Sequence, residues 1–321
     1  MVIGHGEVQV PPLGWGAVET VIYETTQVLT RLGFSVAILN SKSIFTWMQA
    51  YKYRPSIVLL HDDTRINRVV RFWPNAEKIL ITHYGYAAFP KKWEGHYQKN
   101  FKNNFKKMNQ IICLSPGIYS VFAKYFTKEK LIFSPNGSAV NQSNHLSKSS
   151  RKLSINQRRI LICLGKVEER KRQYELYQIT KDSSIDVHFF GPIVDKRVLD
   201  LIAIDKKASL LFKGSIARSD LQNKFQNYQA LIHFSDAEAD ALVLYEAQLM
   251  GLPIIISKNS VGAQNLELPW IKILPEDFSA SELDSILESI NTSPQVILTH
   301  AHLNYRWEKR MIPLIESFSK I

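Results

Sequence analysis

Cysteine is nearly absent from this chain of 321 residues, with only Cys113 and Cys163 present. Each lies inside an apolar run, "QIICLS" or "RILICLG", in a different half of the sequence. A disulfide framework is therefore excluded, and free buried thiols in a reducing compartment are expected. Long apolar runs are missing too, since no stretch of eighteen apolar residues occurs. The N-terminus "MVIGHGEVQVPP" lacks the basic segment and apolar core of a secretory signal. These absences predict a cytoplasmic chain that spans no membrane. Acidic residues are outnumbered, 29 Asp and Glu against 40 Lys and Arg, which leaves a net charge of +11. Such a balance favours an anionic partner: phosphates, nucleic acid or the anionic inner face of a membrane.

The composition, 45% hydrophobic and 21% charged, is that of an ordinary folded protein. Its length suits about two domains. Residues 18–32 carry apolar side chains at helical spacing, with Gly33 as the expected stop and "SVAILN" as the next strand. "SIVLLH", "KILITH" and "QIICLS" follow as short apolar runs without alternation, the pattern of strands buried on both faces of a parallel sheet. Residues 136–159 lose this pattern and read as a linker. It then restarts with strands expected in "RILICLG", "DVHFFG", "ASLLFKG", "ALIHFS" and "LPIIIS", and helices at 171–180, 195–203, 219–228 and 242–251. The expected fold class is α/β, with two Rossmann-like doubly wound domains facing a central cleft. Ligands of such sheets sit beyond the carboxyl ends of strands, which directs attention to the polar residues there.

The densest of these sites is "SDAEADALVLYEAQLMGLPIIIS", residues 235–257. Asp236, Glu238 and Asp240 mimic the first positions of a calcium loop, but Ala241 stands where glycine is needed and Ala247 where the closing glutamate is needed. A solvated turn capping the next helix accounts for Asp236 and Asp240. It does not account for Glu246, which sits among apolar residues a turn inside that helix and needs a partner. "LGKVEERKRQ" brings Lys166 and Lys171 to another strand end, and "PPLGWGAVE" places Gly16 and Ala17 where a small-residue loop opens a helix. His83 ends "ILITH", with His61 in "LLHDD" as its alternative.

In Glu238, Glu246 and the following "GLPIIIS" the sequence resembles retaining glycosyltransferases of the GT-B superfamily, family 4 (glycosyl transferases group 1). The resemblance implies two catalytic positions, Glu238 against the transferred sugar and His83 near the reacting centre. It implies donor binding by Gly16, Ala17, Lys166, Lys171, Glu246 and the backbone of Ala239, Asp240, Ala241 and Leu242. Glu246 would take the ribose hydroxyls, and the two lysines the departing diphosphate. Asp240 departs from the family pattern, which has an aromatic there, and is expected to set donor preference. The implied layout is an acceptor-side domain at 1–150, a nucleotide-sugar domain at 151–300 and a helix at 301–321 crossing back. The implied activity is transfer from a UDP- or GDP-sugar to a glycan or lipid-linked acceptor in surface polysaccharide or lipopolysaccharide synthesis, with no cofactor and no metal. A non-catalytic nucleotide- or glycan-binding chain is the alternative. Nucleic acid is not an expected partner, because no recognised binding motif supports it. The aromatic and lysine-rich stretch at 91–110 is expected to face a core more readily than a membrane.

Overall fold

The structure, a computed structural model, describes residues 1–83, 85–89, 101–138, 159–217, 220 and 224–318. It divides into two units. Unit 1 comprises Met1–Pro12, Gly16–Gly137 and Trp307–Ile321; unit 2 comprises Leu13–Trp15 and Ser138–Arg306.

Unit 1 holds one parallel sheet of six strands: β1 (Val2–Ile3), β2 (Ile38–Leu39), β3 (Ile57–Leu60), β4 (Glu77–Ile81), β5 (Gln110–Cys113) and β6 (Leu131–Phe133). Their order is β2-β1-β3-β4-β5-β6. The central strands are buried on both faces, as the unbroken apolar runs require, and Leu60, Ile79 and Ile111 are all fully enclosed. The first three helices of the unit are α1 (Ala17–Arg31), α2 (Ile44–Ala50) and α3 (Ile66–Phe72). Helix α1 ends as expected, with Gly33 in the left-handed region just beyond its last turn. Residues 307–318 form two short helices, Trp307–Arg310 and Ile312–Phe318, and Arg310 accepts a hydrogen bond at its carbonyl from Ser134 Oγ in the "SPNG" segment.

Unit 2 repeats the plan with β7 (Arg159–Leu164), β8 (Ile185–Phe190), β9 (Phe212–Gly214), β10 (Ala230–His233), β11 (Ile254–Ser257) and β12 (Ile271–Leu274), in the order β12-β11-β10-β7-β8-β9. Every pairing is parallel. One expected strand is corrected. "ASLLFKG" is helical through Leu211 and extended only from Phe212, because Asp205 caps that helix by accepting from the amides of Lys207 and Ala208. The short strands β1, β6 and β12 went unrecognised in the sequence. Cys113 and Cys163 are both free and buried, and burial pushes each thiol up to about 12. Most of the linker and residues 90–100, including Trp93 and Tyr97, lie outside the described residues. Within 101–108, Phe101, Phe105 and Met108 face the core.

Candidate functional site

In unit 2 the neighbouring strands β7, β10 and β11 end side by side, and their following turns meet at Glu238. Its Oε1 lies 2.9 Å from Lys171 Nζ, 3.2 Å from Arg170 Nη1 and 3.4 Å from His233 Nε2, and it accepts from Ser235 Oγ at 2.9 Å. The side chain is 12% exposed. Burial alone would raise its pKa, but the Lys171 and Arg170 charges and the imidazole of His233 hold it well below the usual carboxylate range. His233 is itself buried, and burial with the Lys171 charge lowers its pKa, so the ring beside the carboxylate is neutral. Arg170 also donates to the Ala237 carbonyl and pairs with Glu168 at 3.0 Å. The turn after β10 is fastened to β11 by serines: Ser257 Oγ donates to the Ser235 carbonyl at 2.6 Å, and Ser260 Oγ accepts from the Ser235 amide at 3.1 Å.

Lys171 is mostly enclosed against Gly165, whereas Lys166 is half exposed and 3.3 Å from Glu168. Ala239, Asp240 and Ala241 lead into helix Leu242–Gln248, whose N-cap is Ala241, extended and without a side-chain cap. The N-cap residue is thus neither Asp236 nor Asp240. Asp240 is buried, and its Oδ1 accepts from Tyr245 Oη at 2.6 Å and from the Ala263 amide at 3.1 Å. A side chain at Gly262 would approach that oxygen to 2.7 Å, so glycine is required there. The Asp240 Oδ1 thus ties the turn after β10 to the helix that follows it and to the loop at Ala263. Glu246 is half-buried on the same helix.

In unit 1, His61 and His83 follow β3 and β4. Their rings stack with centroids 5.1 Å apart, and Nδ1 of His61 lies 2.8 Å from Nε2 of His83. Burial lowers both pKa values, that of His83 to about 3, so the pair is neutral and one nitrogen donates to the other. A polar cavity of about 460 Å³ opens nearby, lined by His5, Lys42, Asp62, Thr64, Arg65 and Arg68 among others. Asp62 is held down to about 2 against burial by hydrogen bonds from His5 and Thr64 and by the Arg65 charge. Gly16 is the N-cap of α1 with φ of 135°, and Ala17 is the first helical residue. The buried carboxylate of Glu19 stands beside that turn, 3.1 Å from where a Gly16 side chain would begin.

Residues 146–277 match the family described as Glycosyl transferases group 1. Known structures of similar fold include AviGT4, a glycosyltransferase involved in avilamycin A biosynthesis, at 13% identity and TM-score 0.71, with 99% of this chain and 96% of that one covered. Sucrose-phosphate synthase from Thermosynechococcus elongatus matches at 12% identity and TM-score 0.77, with 99% and 98% covered. HepE of Anabaena in complex with UDP-glucose matches at 13% identity and TM-score 0.66, with 100% and 99% covered. The fold is GT-B, and residues 146–277 within it are similar to the glycosyl transferases group 1 family. No curated protein matches the sequence.

Within the group 1 domain the structure brings Glu238 and Lys171 into contact. It sets Ala239, Asp240, Ala241, Leu242 and Glu246 on the same turn and helix, and Lys166 at the head of the turn that carries Lys171. Gly16, Ala17 and His83 belong to other turns. Two residues of the carboxylate cluster escaped the sequence reading. Arg170 was visible only as one base in a basic run, and His233 sat inside a strand, where its side-chain direction depends on register. The alternation of β10 was the available signal: with Leu231 on one face, His233 shares it, but nothing in the sequence says that Glu238 folds back beneath it.

Proposed function

We propose that this GT-B chain is a retaining, family 4-type glycosyltransferase that binds a nucleoside diphosphate sugar on its group 1 domain. The observation that carries this is the ionised Glu238 beneath Lys171 and Arg170, at the ends of adjacent strands. The lysine, arginine, histidine and serine contacts of this carboxylate all load Oε1, so Oε2 is the oxygen that meets the sugar. Fixed negative charge beside the anomeric carbon stabilises the cationic character of the transition state without reorganisation. Lys166, half exposed, and Lys171 meet the diphosphate, whose negative charge grows as it leaves. Glu246 accepts from the ribose hydroxyls, an assignment suited to an acceptor-only group. His83 is kept neutral by burial and offers a hydrogen-bonding ring that carries no charge. The acceptor is a glycan or lipid-linked glycan, for which the polar cavity of unit 1 supplies hydroxyl-binding groups. HepE binds UDP-glucose, and a UDP-sugar is accordingly the first donor to test.

The test is thermal stabilisation by a panel of nucleoside diphosphates and their sugars, followed by donor turnover with Glu238→Gln. A ligand selective for the folded state raises the melting temperature, by mass action, as its concentration passes Kd. The expected outcome is a shift with one nucleotide family and turnover that Glu238→Gln removes. A shift without any turnover in the native chain would instead identify a binding-only protein. The absence of any shift would overturn the donor site.

A further inference from the structure

Helix α2 buries only Trp47 and Ala50. Trp47 is fully enclosed, with ring centroids 5.7 Å from Phe72 and 5.8 Å from Trp73. The other side of the helix is apolar and open: Ile44 is 46% exposed, Phe45 74%, Met48 60% and Tyr51 59%, and Tyr53 just beyond is 62% exposed. Residues 44, 48 and 51 recur at i, i+4 and i+7 and therefore form one strip, with Phe45 at its edge. Single exposed apolar residues are ordinary, but five large ones within ten positions on one surface mark an interaction site.

The charged residues of the segment that carries this strip have one sign. No Asp or Glu occurs between Glu24 and Asp62, whereas Lys42, Lys52 and Arg54 bracket the helix and are exposed. Lys42 meets Glu7 at 2.8 Å in a fully solvated pair, which is weak at such exposure. A polypeptide face buried against another protein typically sheds its lysines. An apolar strip rimmed by lysine and arginine, with Glu7 as the one acid paired to that rim, complements a surface with an apolar interior and negative headgroups.

We propose that the α2 face of unit 1 docks on an anionic lipid bilayer. Phe45 and Met48 enter the acyl boundary. Tyr51 and Tyr53 lie at headgroup depth, where an amphipathic ring is best solvated. Lys52 and Arg54 face the lipid phosphates. This surface differs from the 91–110 stretch considered for membrane contact in the sequence. It operates whatever sugar the enzyme moves, and would hold the chain where lipid-linked acceptors reside.

The purified full chain is mixed with sedimentable vesicles of phosphatidylcholine alone, or of phosphatidylcholine with a minority of phosphatidylglycerol, at about 0.1 M salt, where charges are screened over ~10 Å. Binding is expected to the anionic vesicles and to weaken as salt rises. The double variant F45S/M48S is expected to lower the partition coefficient by roughly tenfold or more, from lost apolar burial. The variant K52E/R54E is expected to abolish the preference for anionic lipid. All four residues are exposed, and melting temperatures confirm that both variants fold. The proposal is overturned if anionic vesicles bind no better than neutral ones, or if F45S/M48S binds as the native chain does. It is also overturned if F45S/M48S converts an oligomer to a monomer in light scattering while vesicle binding is absent, for then a second copy covers the face.

Discussion

Lys171 Nζ and Glu238 Oε1 are 2.9 Å apart, although one stands after β7 and the other after β10. Glu238 stays ionised despite being largely enclosed because two cations and a neutral histidine surround one of its oxygens. Replacing it by the isosteric Gln removes charge while preserving shape. Glu238→Gln is expected to reduce donor turnover by about 10²–10³, the usual scale for losing one electrostatic stabiliser of a transition state. Its melting temperature should fall as well, since Lys171 and Arg170 lose their counter-charge. Turnover equal to that of the native chain would remove Glu238 from the mechanism.

Lys171→Met tests the other half of that contact. The folded pKa of Glu238 is depressed, so its contribution to stability is complete above its ordinary value of 4.5 and is lost as pH falls through the depressed value. With Lys171 gone and Arg170 still present, the pKa should move upward. The acid limb of the pH–rate profile is therefore expected to shift to higher pH, together with a raised KM for the donor. An unmoved limb would mean that Glu238 does not govern it.

Asp240 is buried in contacts that the sequence did not foretell. Asp240→Ala strands the Tyr245 hydroxyl and the Ala263 amide inside the protein, at a cost of about 2–3 kcal/mol. Asp240→Asn keeps an acceptor oxygen in place and should cost less. Donor preference is expected to be the same in Asp240→Asn as in the native enzyme; a changed preference between UDP-sugars would assign the residue to the donor site.

The His61–His83 pair predicts acid sensitivity. Both rings are neutral in the fold, with pKa values lowered from 6.5, that of His83 to about 3. The unfolded chain binds more protons in that interval, so their contribution is complete above pH 6.5 and fades as pH falls toward 3. His5 works in the opposite direction, since its raised pKa supplies stability below 6.5 that is lost at higher pH. Denaturant unfolding is expected to show stability falling between about pH 6.5 and 4.5, above the range where Asp62 and Glu238 take up protons. His83→Asn should flatten that fall; an unchanged slope would assign it to other groups.

The sheets were legible because buried parallel strands need unbroken apolar runs, and "SIVLLH", "QIICLS", "RILICLG", "ALIHFS" and "LPIIIS" have no other economical use. Strands β1 and β6, two and three residues long, carry too few side chains for any period. Helix starts set by a cap, such as the one Asp205 makes, overrule the β-like look of "ASLLFKG".

The sequence alone determined the two α/β units, the placing of Glu238, Glu246, Lys166 and Lys171 near strand ends, and the resemblance that names their roles. Only the tertiary structure decided which of these groups meet. Strand order sets β7 beside β10, a non-neighbour in the chain, and so Arg170, Lys171 and His233 converge on one carboxylate oxygen. Backbone direction through the turn after β10 sends Asp240 inward and leaves Glu238 at the edge. Charge pattern and spacing are properties of a line, whereas burial and pairing depend on which turns the sheet brings together.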